Sequence, residues 1–327
     1  MRRRDFIVGL GGAVAWPLAA RGQQPERMGR VGVLLFSAEN DPISRTRLAA
    51  LQDGLQKLGW TEGVNLRIHY RFGAADPDRL RSRAEELVHL APDVIVAGSP
   101  QATRAVQQLT QTIPIVFVEA TNEVGYGLTG NLARSEGNAT GITNLYLAIG
   151  VRWLELLREA APRIVRIALL FNPEFDSRSY IAAIETSAAA YHVKTIRTPA
   201  RDAKEIERAV GTFAAKPNGG LLVVPPTPSF TNVELIFRLA TKYRLPAIYP
   251  TRGFAAAGGL LAYGPDSAAL FHDSASYVDR ILRGAKPSDL QVGFPTKFDL
   301  AINLKTAKSI GLKISRSLVA RAAEVIE

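Results

Sequence analysis

Val31-Gly32-Val33-Leu34-Leu35-Phe36, followed by Ser37-Ala38-Glu39-Asn40-Asp41-Pro42, is the stretch on which the fold turns. A nearly unbroken apolar run of this length is how a strand reads when both of its faces are buried in a parallel sheet. Asp41 then supplies a helix N-cap and Pro42 a first helical residue. Leu48, Leu51, Leu55 and Leu58 recur at helical spacing before Gly59 ends the helix. The same strand-helix unit repeats outward from it. Strand Leu66 to Arg71 leads to a helix opened by Asp76-Pro77, strand Asp93 to Ala97 to helix Gln101 to Leu109, and strand Ile115 to Val118 follows. Such a series predicts a doubly wound sheet.

Between Ala120 and Thr143 the rhythm breaks into glycine, asparagine and polar residues. It then restarts with a helix around Trp153, Leu154 and Leu157 that stops at Pro162, and with a second buried strand, Val165 to Phe171. Helix Ser177 to Ala190, strand Val193 to Arg197, helix Asp202 to Ala214, strand Gly220 to Val224, helix Asn232 to Tyr243 and strand Ala247 to Tyr249 complete the second series. The fold class expected is α/β: two similar doubly wound parallel-sheet lobes joined by crossover strands. Beyond them come a strand at Gly259 to Gly264, a helix from Asp266 to Leu282, a strand at Phe298 to Ile302 and a last clear helix from Leu304 to Gly311. Residues 29–143 with about 263–290 are expected in the first lobe, and 144–262 with about 291–327 in the second.

Composition bounds what such a chain can do. Of 327 residues, 47% are hydrophobic and 21% charged, which suits a globular α/β protein with ample core. Cysteine is absent, so disulfides, thiolate nucleophiles and zinc-cysteine sites are excluded. The net charge of +10 is no nucleic-acid signature, because the first 22 residues carry +3 of it and the remaining +7 is scattered among acids.

The N-terminus reads as an export signal. Arg2 to Arg4 form a charged region, Phe6 to Ala20 a short apolar stretch, and Ala20-Arg21-Gly22 offers small residues for cleavage. Arg3-Arg4-Asp5-Phe6-Ile7 is similar to a twin-arginine signal, whose apolar stretch is kept weakly hydrophobic, here by Gly9, Gly11 and Gly12. Residues 1–22 are thus expected to be a signal peptide and 23–28 a polar leader. An uncleaved membrane anchor is the alternative, although the stretch falls short of the roughly 20 residues a spanning helix needs.

Ligands of open parallel sheets bind beyond the carboxyl ends of the strands, so those ends define the candidate site. They are rich in hydroxyls and amides. The candidate ligand-binding residues are Ser37, Glu39, Ser99, Gln101, Ala102, Thr121, Asn122, Asn144, Asn172, Thr227, Tyr249 and Tyr263. Ser99 and Gln101 stand where a helix begins, where free amides can hold a carboxylate, or where Ser99 simply caps the helix. Glu39, Glu119, Glu123 and Asp176 are candidates to receive an ammonium group. Tyr126, Tyr146, Phe175, Phe230, Tyr249 and Tyr263 could wall an apolar body.

Catalytic signatures are weak. Gly125-Tyr126-Gly127-Leu128-Thr129-Gly130 has dinucleotide-type spacing but neither follows a strand nor opens a helix. No nucleophile elbow or phosphate-binding loop occurs, and His69, His89, His192 and His272 show no metal spacing. No catalytic residue, metal or cofactor is expected.

The segments Arg30-Val31-Gly32-Val33-Leu34, Gly98-Ser99-Pro100-Gln101-Ala102, Gly137-Asn138-Ala139-Thr140-Gly141-Ile142-Thr143 and Leu245-Pro246-Ala247-Ile248-Tyr249-Pro250 carry a family resemblance. So do Gly258-Gly259-Leu260-Leu261-Ala262-Tyr263-Gly264, Tyr277 through Pro287, Pro295-Thr296-Lys297-Phe298 and Ile302 through Ala307. Over nearly its whole length the chain resembles the ABC transporter substrate-binding proteins related to tryptophan and tyrosine importers. The resemblance implies a type I periplasmic-binding fold, a periplasmic monomer holding a small organic solute between hinged lobes, a membrane permease as partner, and no nucleic acid. Where relatives often carry an Asp-Pro pair after the fourth strand, this chain has Thr121-Asn122-Glu123-Val124, so aromatic amino-acid specificity does not transfer with the fold. A secreted α/β enzyme and a ligand-sensing domain remain open at this point, although a DNA-binding headpiece would have to stand where the signal stands.

Overall fold

The computed structural model of the chain describes residues 28–120, 137–143, 148–174, 177–225 and 232–327. The first sheet is five-stranded, in the order β2-β1-β3-β4-β5, and every pair in it is parallel. Its strands are β1 (Gly29–Leu35), β2 (Leu66–Phe72), β3 (Val94–Ala97), β4 (Ile115–Ala120) and β5 (Ala139–Thr143). Three helices follow the first three strands: α1 (Pro42–Lys57), α2 (Pro77–His89) and α3 (Pro100–Gln107). Each begins with the proline expected at the first helical turn, behind a side-chain cap from Asp41, Asp76 or Ser99.

The second sheet is seven-stranded, in the order β12-β11-β10-β9-β8-β6-β7. Its strands are β6 (Arg166–Phe171), β7 (Lys194–Pro199), β8 (Gly219–Val223), β9 (Ala247–Tyr249), β10 (Leu261–Pro265), β11 (Phe298–Asn303) and β12 (Glu324–Ile326). Here β10 and β11 pair antiparallel, so this sheet is mixed. Helices α4 (Ala148–Ala160) and α5 (Arg178–Ala188) bury Trp153, Leu154, Leu157 and Ile184 in the core on one face. Helices α6 (Ala203–Ala214), α7 (Val233–Lys242) and the short α8 (Gly253–Ala256) cover the other.

The chain crosses between sheets three times. After Thr143 it passes to the second sheet. It returns after Pro265, past the boundary expected near 263, as α9 (Ser267–Leu282) lays Leu270, Phe271, Ala275 and Val278 on the core of the first sheet beside Leu51 and Leu55. The third crossing runs from Gly293 to β11. The crossings are bonded to one another: Thr143 N donates to Gly293 O at 3.0 Å and Asp266 N to Lys297 O at 3.0 Å. Lys297 Nζ also meets Asp266 Oδ2 at 2.5 Å, while Asp266 caps α9 through the amides of Ala268 and Ala269.

Several elements differ from the sequence expectation, the short α8 among them. Strand β5 lies in the stretch read as irregular, with Gly141 in its middle at φ 148°, where a Cβ would meet Phe117 O at 2.0 Å. Small size, not apolar periodicity, selects this residue, so no pattern announces the strand. After α10 (Leu304–Ser309) the chain also forms α11 (Arg316–Ala320) and the edge strand β12. Both are too short for periodicity to detect.

Candidate functional site

The carboxyl ends of the parallel strands bring the candidate residues into view in turn. After β1, Ser37 Oγ lies 2.6 Å from the buried Ser44 Oγ in the first turn of α1. Left-handed Ala74 and Ala75, following β2, donate their amides to Ser37 O and Phe36 O and brace this loop. Glu39 projects into solvent.

After β3, Ser99 Oγ accepts the Ala102 amide at 3.0 Å and its carbonyl accepts Thr103 Oγ1 at 2.8 Å. Ser99 therefore caps α3. Ala102, a candidate residue, has its methyl fully buried in the first-sheet core and its amide occupied by the cap, because helical periodicity turns position 102 inward. Gln101 is exposed.

At the end of β4, Glu119 adopts φ 62°, a left-handed conformation that costs a non-glycine residue energy. Its Oε2 accepts Arg47 Nη2 at 2.7 Å, and Arg47 Nε donates to Ser267 Oγ at 2.7 Å. The guanidinium also stands 5.5 Å from the Phe271 ring centroid. Glu119 is thus matched by a cation within its own half of the molecule, where the sequence offered it to a ligand ammonium. Arg47 escaped the sequence reading because its partners are 72 and 220 residues away.

In the second sheet, Asn172 is 5% exposed and its Oδ1 accepts the Glu174 amide at 3.0 Å, shaping the loop after β6. Ser177 Oγ donates to Pro225 O at 3.0 Å, joining that loop to the end of β8. Tyr249 is the candidate on β9. It is 1% exposed and its ring packs edge-on to Phe237 at 5.1 Å and against Phe254 at 5.8 Å, on the face covered by α7 and α8. The two-residue alternation of β9 turns it into the core rather than beyond the strand end. Its buried hydroxyl lacks a hydrogen-bond partner, and burial pushes the phenol far above its ordinary pKa.

Tyr263 sits on β10 at the crossing, its ring stacked on Phe298 at 5.8 Å and its carbonyl accepting Trp153 Nε1 at 2.7 Å. Arg252, following β9, reaches Asp299 Oδ2 at 3.5 Å and Glu324 Oε2 at 3.6 Å. Thr121, Asn122, Asn144 and Thr227 lie outside the described residues, as do Glu123, Asp176, Tyr126, Tyr146, Phe175, Phe230 and the Gly125 to Gly130 segment. Among the described residues, no group of three or more His, Cys, Asp and Glu is placed to hold a metal ion. No described helix is long and apolar enough to cross a membrane.

The structure therefore offers two sets of strand-end loops, the first built on hydroxyls, a capped helix start and a neutralised acid. A family model described as ABC transporter substrate binding protein matches residues 31–326. A tyrosine-binding protein of Clostridioides difficile is 24% identical over 261 residues, which are 79% of this chain and 74% of that one. A conserved domain protein from Vibrio cholerae is similar in structure with a TM-score of 0.76 and 26% identity, covering 91% of this chain and 100% of its own. An ABC domain in complex with L-Trp from Streptococcus pneumonia superposes with a TM-score of 0.77 at 21% identity, over 91% of this chain and 99% of its own.

Proposed function

Because the chain belongs to the ABC transporter substrate-binding protein family, we propose that it captures an amino acid or close relative between its two lobes and hands it to a membrane permease. The match across residues 31–326, which takes in both sheets and all three crossings, carries this reading. That family consists of solute-binding proteins rather than enzymes. On this reading residues 29–143 with 266–293 form one lobe and the rest of the described chain the other. The N-terminal Arg3-Arg4 signal sends the protein to the periplasm, where it works as a monomer.

An amino-acid-like ligand is favoured because the relatives named above include a tyrosine-binding protein and a domain holding L-Trp. The site chemistry agrees. Ser99 uses its hydroxyl oxygen as a cap, which leaves its own proton to donate, and the start of α3 carries the positive end of a helix dipole. We assign the ligand's carboxylate to this corner. With Glu119 held by Arg47, the ammonium group falls to Glu39, Glu123 or Asp176.

A thermal-shift screen of amino acids, aromatic acids, small amides, sugars and inorganic anions tests the proposal. A carboxylate-bearing compound at a hundredfold excess over Kd should stabilise the protein by about 2.7 kcal/mol. Stabilisation by sugars or anions alone would remove the amino-acid class and leave the carrier reading in place. Turnover of the stabilising compound would remove the carrier reading.

A further inference from the structure

Ile43, near the start of α1, is 49% exposed although a large aliphatic side chain gains from burial. It does not point into open solvent everywhere. A methyl group placed on Gly253, at the start of α8 in the second lobe, would find Ile43 Cδ1 at 3.9 Å, an ordinary van der Waals separation. Since α1 follows the carboxyl end of β1 and α8 that of β9, the two residues face each other across the gap that the strand ends border.

Each side of this meeting is held firmly in its own lobe. The Ile43 amide donates to the Asp41 cap at 2.9 Å, and neighbouring Ser44 is buried against Ser37. One turn further along the same stripe of α1, Arg47 is tied to Ser267 at the start of the crossing helix and to Glu119 at the end of β4. Across the gap, Phe254 is buried against Tyr249, and Ala255 O accepts Asn303 Nδ2 at 3.0 Å. The approach of Ile43 to this backbone therefore follows lobe position rather than a wandering side chain.

We propose that Ile43 and Gly253 form an interlobe contact that prolongs the retention of a captured solute. The proposal rests on the reading that the lobes close over a ligand. A contact made only when the lobes are together slows their parting, so it acts on dissociation. Gly253 is not in the left-handed region, so an alanine there is allowed and would add a methyl to the contact.

The chain has no cysteine, so Ile43→Cys with Gly253→Cys places its only two thiols across the gap. Without any ligand, a short bis-maleimide should link this pair within one molecule faster than a control pair, Ile43→Cys with Tyr243→Cys. Tyr243 is exposed at the end of the second sheet away from the gap. Dissociation of L-tyrosine and L-tryptophan from the full exported chain should be about fivefold faster for Ile43→Ala and about twofold slower for Gly253→Ala. Equal linking rates for the two pairs overturn the contact, and unchanged dissociation in Ile43→Ala overturns its role. Should neither amino acid bind the parent protein, dissociation is read on the carboxylate-bearing compound that the thermal-shift screen finds; if that screen finds none, the ligand-class reading fails, and the linking comparison still decides whether the contact exists.

Discussion

At the scale of single residues, the structure shows which candidate side chains the fold itself engages. Tyr249 is one of these, and its hydroxyl is buried without a partner. An unsatisfied buried donor costs about 1–3 kcal/mol, so Tyr249→Phe should leave the protein as stable as before or more stable, by up to about that amount in urea unfolding. A loss of stability would show that an ordered water satisfies the hydroxyl. Ser99 has two roles open to it, and one substitution separates them. As the cap of α3, Ser99→Ala should lower ligand-free stability by about 1 kcal/mol. If Ser99 also donates to a carboxylate, ligand affinity measured by calorimetry should fall by a further factor of about ten beyond what ligand-free melting explains. Unchanged affinity would confine Ser99 to the cap. The sequence placed Ser99 at a helix start correctly but did not show that Tyr249 and Ala102 are buried, because strand-end position alone does not say which way a side chain turns.

At the scale of elements, the crossings are where charge matters most. Burial tends to raise the Asp266 carboxyl, but the Lys297 ammonium and the Ala269 and Ala268 amides outweigh it and hold its pKa below the usual carboxylate value. Lys297 is raised in turn, first by its hydrogen bond to Asp266. An acid whose folded pKa is depressed contributes stability that is complete above its unfolded value of about 3.9 and is lost as pH falls through the folded value. Wild-type melting temperature should therefore drop more steeply below about pH 4 than that of Asp266→Asn, which begins lower at neutral pH. Parallel curves for the two proteins would rule out a role for this pair in acid stability. The strand-helix rhythm, the aspartate caps and the prolines at helix starts were all legible in the chain, since each is a local signal. Strand β5, helix α11 and strand β12 were not, because they are short and owe their form to neighbours far along the chain: Gly141 is required by Phe117, and β12 exists by pairing with β11.

At the scale of the whole molecule, the proposed capture presupposes export, which has its own test. Replacing Arg3 and Arg4 with Lys should hold precursor in the cytoplasm if a receptor reads the twin arginines, with fractionation and N-terminal sequencing as the measurement. Undiminished periplasmic yield would exclude that route. Sequence by itself determined the α/β class, the two successive series of parallel strands, the helix caps and the family resemblance. Those depend on patterns within a few residues of one another or on segments recurring in order. Only the tertiary structure decided that β10 and β11 run antiparallel, that Glu119 is answered by Arg47, that Asp266 meets Lys297, and that Ile43 faces Gly253. Each of these joins positions tens to hundreds of residues apart, and the energy of such a contact depends on a distance that exists only once both sheets have formed.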